Sequence, residues 1–433
     1  MDRETKLRLI DELCQDLPPY ASSLSGPFIP GQTTVMYSGP FWDKEETKMA
    51  MQALLMGQWL PAGEYVARFQ NMFSQRFNVK HSHMLNSGSS ANLVLIAALK
   101  KYYNWQDGDE IIVSPVGFPT TISPIAQNNL KPIFVDIEMR TLNFDVSQIE
   151  SKITDRTRAI FVSPVLGNPP DMDALVDICK RHDIKLVGDN CDSLGTLWNG
   201  KLMSDLYCAW STSFYPAHHI TTGEGGMVCS NDTEFMKTVT SIAWWGRDCY
   251  CVGKANQLAC GTCGIRFSKW LLDEGLDLVM DHKYIFTNMG YNLKPLDLQG
   301  AIGLAQLKKL DIIEHKRREH KIKIEKFFDG NPNVHVVDSL LQADPCWFGV
   351  PLVCSSAEVK HSLVAHLEDA KIQTRNYFAG NILLHPGYKH LGNASDFPVA
   401  NEVLKLVLWI GCTPHYTPEV LKYIGDVIGS WQI

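Results

Sequence analysis

The sequence predicts an α/β protein: a mostly parallel sheet with helices on both faces, followed by a smaller α+β domain. Three observations carry that expectation. Helical and strand signals alternate from about residue 80 to 230, the rhythm of strands joined by crossover helices. The strand runs are apolar throughout rather than alternating, as strands covered on both faces must be. The short segments after them are polar or Gly-rich, and in such sheets ligands bind where strands end.

In chain order, "MDRETKLRLIDELCQDL" reads as a charged amphipathic helix rather than a signal peptide, implying a cytoplasmic protein. "SSANLVLIAALKKYY" has helical spacing, "DEIIVSP" is a strand, "ISPIAQNN" a piece of helix and "KPIFVDI" the next strand. "TRAIFVSPV", the helix "MDALVDICKRH", "IKLVGDN" and "GGMVCS" continue the pattern. Past about residue 310, "QLKKLDIIEHKRREHKIKIEKFF" reads as a long charged connecting helix. "VHVVDS", "FGVPLVC", "SAEVKHSLVAHLEDA" and "EVLKYIGDVI" then supply the smaller domain. The expected division is residues 1–50 as an N-terminal helical segment, 51–310 as the large domain and 311–433 as the small one.

With 433 residues, 45% of them hydrophobic, and a net charge of -7, the chain has the makings of a large core. No basic cluster suits nucleic acid, and no run of eighteen apolar residues suits a membrane span. Of twelve cysteines, Cys14, Cys179, Cys208, Cys229, Cys346, Cys354 and Cys412 are scattered and read as small buried hydrophobes. Cys191 stands apart, and Cys249, Cys251, Cys260 and Cys263 form a tight group. Four thiols at such spacing suit zinc or an iron–sulfur cluster about equally, or are plain surface thiols.

Four loops at strand ends form the candidate site. "NSGSSAN" puts Gly88, Ser89 and Ser90 at a helix start, where unpaired N–H groups make an anion cradle; simple capping by Ser87 or Ser89 is the plainer reading. "GDNCDSLGT" puts Asp189 just past a core strand, where a carboxylate needs a partner. "SPVGFPTT" offers Phe118 as a core ring or as one that stacks on a flat ligand. "SFYPAHHITTGEGG" presents His218 and His219.

Taken together and in this order, these loops resemble the DegT/DnrJ/EryC1/StrS-type nucleotide-sugar aminotransferase and dehydrase family. The segments "GQWLPAGEYVARFQNMFSQRFNV", "NSGSSANLVLIAAL", "KPIFVDIEMRTLNFD", "SFYPAHHITTGEGGMV" and "NMGYNLKPLDLQGAIGLAQLKKLD" carry the likeness along nearly the whole chain. The resemblance implies fold type I of the pyridoxal-phosphate transferases, with a mostly parallel seven-stranded sheet. Asp189 would pair with the pyridine nitrogen, Gly88, Ser89, Ser90 and Ser213 would hold the phosphate, and Phe118 would stack on the ring. Asn292 would reach the phosphate of a neighbouring subunit in a homodimer.

One departure redirects the chemistry. His218 stands where the family's aminotransferases have the lysine that binds the cofactor aldehyde, and an imidazole cannot form an imine. Pyridoxamine phosphate remains usable, and His218 becomes a base suited to neutral pH. Asp192 stands where the family usually has Gln or His, and Tyr215 takes another position beside the cofactor. The resemblance then points to the sugar 3-dehydrases of dideoxysugar biosynthesis, which are of two types. One is iron-free, uses glutamate and acts on a GDP-sugar. The other acts on CDP-4-keto-6-deoxyglucose, on the route to O-antigen lipopolysaccharide sugars, with a 2Fe–2S cluster fed by an NADH-dependent iron–sulfur flavin reductase. The cysteines select the second type as the expectation, with Cys191, Cys249, Cys251 and Cys260 as ligands and Cys263 as rival for the fourth place. A non-catalytic metal-binding relative is the third reading. Arg375 is a candidate contact for the diphosphate.

Overall fold

The computed structural model describes residues 1–17, 27–57, 59–249 and 266–432. Strands β1 (His81–Leu85), β2 (Glu110–Val113), β3 (Lys131–Phe134), β4 (Thr157–Val162), β5 (Lys185–Asp189), β6 (Ala209–Ser213) and β7 (Gly226–Ser230) form a seven-stranded sheet in the order β1-β7-β6-β5-β4-β2-β3. Strands β2 to β6 run parallel, and β7 is antiparallel to both β1 and β6. The expected seven-stranded, mostly parallel sheet is therefore present. Strands β2, β6 and β7 are buried at every position, which accounts for the apolar runs in β2 and β7, whereas β6 buries Ser211, Thr212 and Ser213 towards its site end.

Helices α1 (Arg3–Cys14), α2 (Lys44–Met56) and α3 (Glu64–Arg76) precede the sheet, and α4 (Gly88–Tyr102), α5 (Pro119–Gln127), α6 (Met172–His182) and α7 (Thr233–Ala243) connect or follow its strands. The long charged helix read from the sequence is present as α9 (Leu310–Lys326), and α8 (Asp297–Leu307) precedes it, separated at Lys308 and Lys309. Their tasks differ. In α8, Gly300 and Gly303 have no side chain because a Cβ at 300 would lie 2.6 Å from Val66 Cα and one at 303 would lie 2.8 Å from the Phe69 ring. Asp297 at the start of α8 accepts from the Val66 amide at 2.9 Å, supplying the cap that α3 lacks at its own Gly63.

The smaller sheet comprises β8 (Val334–Val336), β9 (Gly349–Cys354), β10 (Thr374–Asn376) and β11 (Val407–Gly411) in the order β8-β9-β11-β10, all antiparallel. Helices α10 (Ala357–Asp369), α11 (Pro398–Leu406) and α12 (Pro418–Ser430) accompany it. Its core, around Leu352, Leu363, Leu408 and Ile424, also takes in Val35 from the N-terminal segment, whereas Phe348 and Trp409 join the core of the large sheet. Among the described residues no helix is long and apolar enough to cross a membrane.

One buried base makes the fold pH-sensitive. His83 in β1 is 8% exposed, its Nε2 has no hydrogen-bond partner, and burial pushes it down to about 4. The unfolded chain takes up this proton near 6.5, so wild-type stability falls as pH drops from about 6.5 towards 4. His83→Phe should remove that loss. The thermal midpoint of the variant should gain on wild type between pH 7 and pH 5, whereas a constant gap would show that His83 is charged in the fold.

Candidate active site

The loops at the carboxyl ends of β1, β5 and β6 meet, as the parallel topology requires. At the first, Ser87 is the N-cap of α4 and its hydroxyl oxygen accepts from the Ser90 amide at 3.1 Å. The first intrahelical bond runs from Ala91 N to the Ser87 carbonyl, so the Gly88 and Ser89 amides lie ahead of it and face outward. The plainer reading of this loop is seen directly, since Ser87 caps, and the Gly88 and Ser89 amides beside the exposed Ser89 hydroxyl are left as the groups a cradle would use. The Ser90 amide is spent on the cap, which leaves its hydroxyl as the group it can offer.

Sterics keep the cradle closed. A Cβ on Gly88 would collide with the Ser213 side chain, its Oγ 2.7 Å away, and one on Gly226 would lie 2.7 Å from the Gly88 amide nitrogen. The ends of β6 and β7 therefore press against the start of α4 through two bare backbones.

At the end of β5, Asp189 is 4% exposed and its carboxylate accepts three hydrogen bonds, two of them at Oδ2. Asn92 Nδ2 donates to Oδ2 at 2.8 Å, Thr121 Oγ1 donates to the same oxygen at 2.7 Å, and the Cys191 amide reaches Oδ1 at 3.2 Å. Ser211 donates to the Asn92 carbonyl oxygen, which fixes the orientation of the amide. Asn92, Thr121 and Ser211 were not singled out from the sequence. The available signal is a lone amide or hydroxyl within an apolar run, as in "ANLVLIAAL", where a buried polar group must be hydrogen-bonded.

His218 lies in the turn after β6, its amide bonded to the Tyr215 carbonyl at 3.0 Å. Its Nδ1 faces Asp192 Oδ1 at 3.4 Å, outside good hydrogen-bond geometry, and both side chains keep 15% of their surface. Burial, with help from the Arg317 charge, pushes His218 down to about 3; burial together with the Asp189 charge pushes Asp192 up to about 7. The pair is thus held towards its uncharged forms. The Leu166 amide donates to Asp192 Oδ2 at 3.2 Å from a left-handed backbone (φ 54°), a conformation that costs a leucine about 1–2 kcal/mol. Phe348, from the segment entering β9, packs on the imidazole at 5.2 Å, and Tyr215 stands edge-on at 6.4 Å. His219 is turned inward, its Nε2 on the Cys346 carbonyl at 2.7 Å, so the choice of His218 over His219 agrees with the geometry.

Phe118 caps α5 with 53% of its surface exposed and meets Phe378 edge-on. Asn292 is exposed, and its side-chain oxygen accepts from Lys294 at 2.6 Å. Arg375 lies over the Tyr37 ring at 4.1 Å. Cys191 adjoins Asp189, and burial and the two neighbouring carboxylates raise its thiol well above the usual range. Cys249 is buried beyond α7. Cys251, Cys260 and Cys263 lie outside the described residues, and among the described residues no three His, Cys, Asp or Glu side chains gather as a metal site.

Residues 42–429 match the DegT/DnrJ/EryC1/StrS aminotransferase family. The chain belongs to this family. It is 36% identical over 414 residues to the dTDP-4-dehydro-2,6-dideoxy-D-glucose 3-dehydratase of Saccharopolyspora spinosa, covering 93% of this chain and 88% of that one. It is 34% identical over 436 residues to the lipopolysaccharide biosynthesis protein RfbH of Salmonella typhimurium, covering 97% of each. The solved structure of the E. coli GDP-4-keto-6-deoxy-D-mannose-3-dehydratase with bound hydrated PLP superposes with a TM-score of 0.79 at 30% identity, over 91% of this chain and 99% of that one. The fold is that of the PLP-dependent aminotransferases and dehydratases, and the chain is an enzyme of the sugar 3-dehydratase and aminotransferase kind.

The close approach of β6 to the start of α4 depends on the bare backbone at position 88. Gly88→Ala should force β6 away from α4, costing about 1–3 kcal/mol of stability and weakening pyridoxamine-phosphate affinity in a fluorescence titration. Unchanged affinity would show that the cradle does not hold the phosphate.

Proposed function

We propose that this enzyme removes the C3 hydroxyl of a nucleotide-linked 4-keto-deoxyhexose, with pyridoxamine phosphate as resident cofactor and His218 as base. The observation that supports this most directly is the imidazole at 218, at the mouth of a site whose anion cradle and ring-nitrogen partner are otherwise complete. A buried carboxylate with three donors, an open helix start and an exposed ring suit a phosphorylated, protonated pyridine. Asp189 would hold the proton on the ring nitrogen. Gly88, Ser89, Ser90 and Ser213 would hold the phosphate, and Phe118 would cover the ring. When bound, pyridoxamine phosphate supplies an amine for the sugar ketone and a ring that accepts electrons.

His218 is neutral at physiological pH and takes up the proton from the carbon that carries the amine. Because Nδ1 is buried and turned to Asp192, Nε2 is the nitrogen that accepts it. Held on Nε2, that proton would be the one handed to the departing C3 hydroxyl, which would leave as water. Asp192 steadies the ring of His218, and Tyr215 lines the path of the leaving group. Lysine at 218 would tether the cofactor instead, so its absence favours dehydration over amino transfer.

The two sequence readings of substrate and recycling remain distinct. The GDP-4-keto-6-deoxymannose 3-dehydratase structures, one of them with a trapped PLP-glutamate geminal diamine, support a GDP-sugar and the glutamate-dependent type, which the sequence placed second. The CDP-sugar reading, with its 2Fe–2S cluster and reductase partner, rests on Cys191, Cys249, Cys251 and Cys260. A thiolate at Cys191 would add a second negative charge beside Asp189, so a bound cation would favour it. A homodimer is supported by apolar side chains left exposed near Asn292, Met289 (98% exposed) and Phe286 among them.

The test is anaerobic purification with iron and sulfide analysis, then incubation with GDP- and CDP-linked 4-keto-6-deoxy sugars, with glutamate or with a reductase. Turnover of the GDP-sugar with glutamate by iron-free protein selects the first type; two irons per chain and reductase-dependent turnover of the CDP-sugar select the second. His218→Asn should lose at least about 100-fold in rate under whichever condition works. Full activity in that variant overturns the base assignment, and amino transfer without dehydration by wild type overturns the function.

A further inference from the structure

Arg317 is 1% exposed, inside α9, and no carboxylate is paired with it among the described residues. Its guanidinium is spent on main-chain carbonyls of two separate segments. Nη2 donates to Ala217 O at 3.4 Å and His218 O at 3.3 Å, while Nη1 donates to Trp347 O at 3.3 Å and Phe348 O at 3.0 Å. Nε has no partner. A buried charge without a counter-charge is expensive, and a structural tie between two loops does not need one.

What the two segments carry explains the expense. One carries the His218 imidazole; the other carries the Phe348 ring that packs against it at 5.2 Å. The second segment is tied to the far side of the site as well, through Phe348 N to Leu166 O at 2.9 Å, and Leu166 N is the donor to Asp192. His218, Phe348 and Asp192 are thus three walls of one socket, and Arg317 is the joint between two of them. Only a planar fork with donors on both branches can span the two carbonyl pairs; an ammonium ion cannot.

We propose that Arg317 is a positioning residue for the reaction, setting the direction of the His218 imidazole by clamping its main chain to the Phe348 segment. This rests on His218 being the base, and it adds that the small-domain segment is part of the base's mounting. A lost joint should misplace the imidazole by a fraction of an ångström to an ångström while leaving the cradle and Asp189 untouched.

The experiment compares cofactor-loaded wild type with Arg317→Lys and Arg317→Ala, in steady state and with added guanidinium chloride at millimolar, non-denaturing levels. Expected are a fall in kcat of about 100-fold in both variants, KM and pyridoxamine-phosphate affinity within about threefold of wild type, and partial rescue of Arg317→Ala by guanidinium but not by ammonium. Amide exchange at 217–219 should quicken in Arg317→Lys with α9 unchanged. Wild-type kcat in Arg317→Lys, or equal losses in kcat, KM and cofactor affinity, overturns the inference. If Arg317→Ala fails to fold, Arg317→Lys and its exchange pattern decide alone. Inactive wild type would instead sink the dehydrase reading itself.

Discussion

The Asp189 carboxylate is the constraint on which the site depends. A charge taken out of water at the end of β5 would cost several kcal/mol unless its lone pairs were met, and the fold meets them from three directions. Ser211 on β6 orients Asn92 on α4, Asn92 and Thr121 on α5 meet at one carboxylate oxygen, and the Cys191 amide meets the other. One network therefore locks two central strands to the first turns of two helices. Those first turns carry the phosphate cradle and Phe118, so satisfying a single buried charge also fixes where a ring and its phosphate can lie relative to each other.

Close backbone approach completes the geometry. The cradle is usable only because β6 and β7 can press on the start of α4 at Gly88 and Gly226. Every group that would hold the cofactor is thereby set by elements of the rigid sheet. The base differs: its segment is a turn, anchored partly by contacts from α9 and from the strand β9 approach. Cofactor binding and proton transfer are mounted on different parts of the molecule, which is why a substitution can be expected to touch one and spare the other.

How much of this was legible follows from sequence distance. Gly88, Asp189, Ser213 and His218 each sit at or just beyond the end of a sheet strand within a short, distinctive motif, so local pattern and family likeness singled them out. Asn92 and Asp189 are 97 positions apart and Asn92 and Ser211 are 119 apart, and no local pattern announces such pairs. Arg317 is the clearest case. In "HKRREHK" it looks like its neighbour Arg318, yet Arg318 points to Asp344 at 2.9 Å as an ordinary ion pair while Arg317 turns into the protein. Helical period places one of them inward, but not what it meets there. The expected cysteine ligands Cys251 and Cys260 lie outside the described residues. The sequence started α9 a few residues early because Lys308 and Lys309 are good helix formers, and it is the close packing of Gly300 and Gly303 on α3 that fixes α8 before it.

The manner in which the 217–218 turn is held explains how one scaffold accommodates different chemistries. Ser38 Oγ donates to the Ala217 carbonyl at 2.6 Å, Arg317 reaches the carbonyls of Ala217 and His218, and the His218 amide returns to Tyr215. All of these act on main chain, which is the same whatever side chain position 218 bears. Exchanging lysine for histidine there alters no contact that keeps the turn in place, so it need not disturb the fold. It exchanges a tether for a base within an unchanged frame. The neighbours then need only adapt their electrostatics: burial raises the carboxyl at 192 to about 7, so it draws a proton onto the imidazole less strongly than a fully ionised carboxylate would. If His218 is the base, the chemistry of this site is set by the side chains at 192 and 218 and their burial, on a turn whose main-chain contacts do not depend on either.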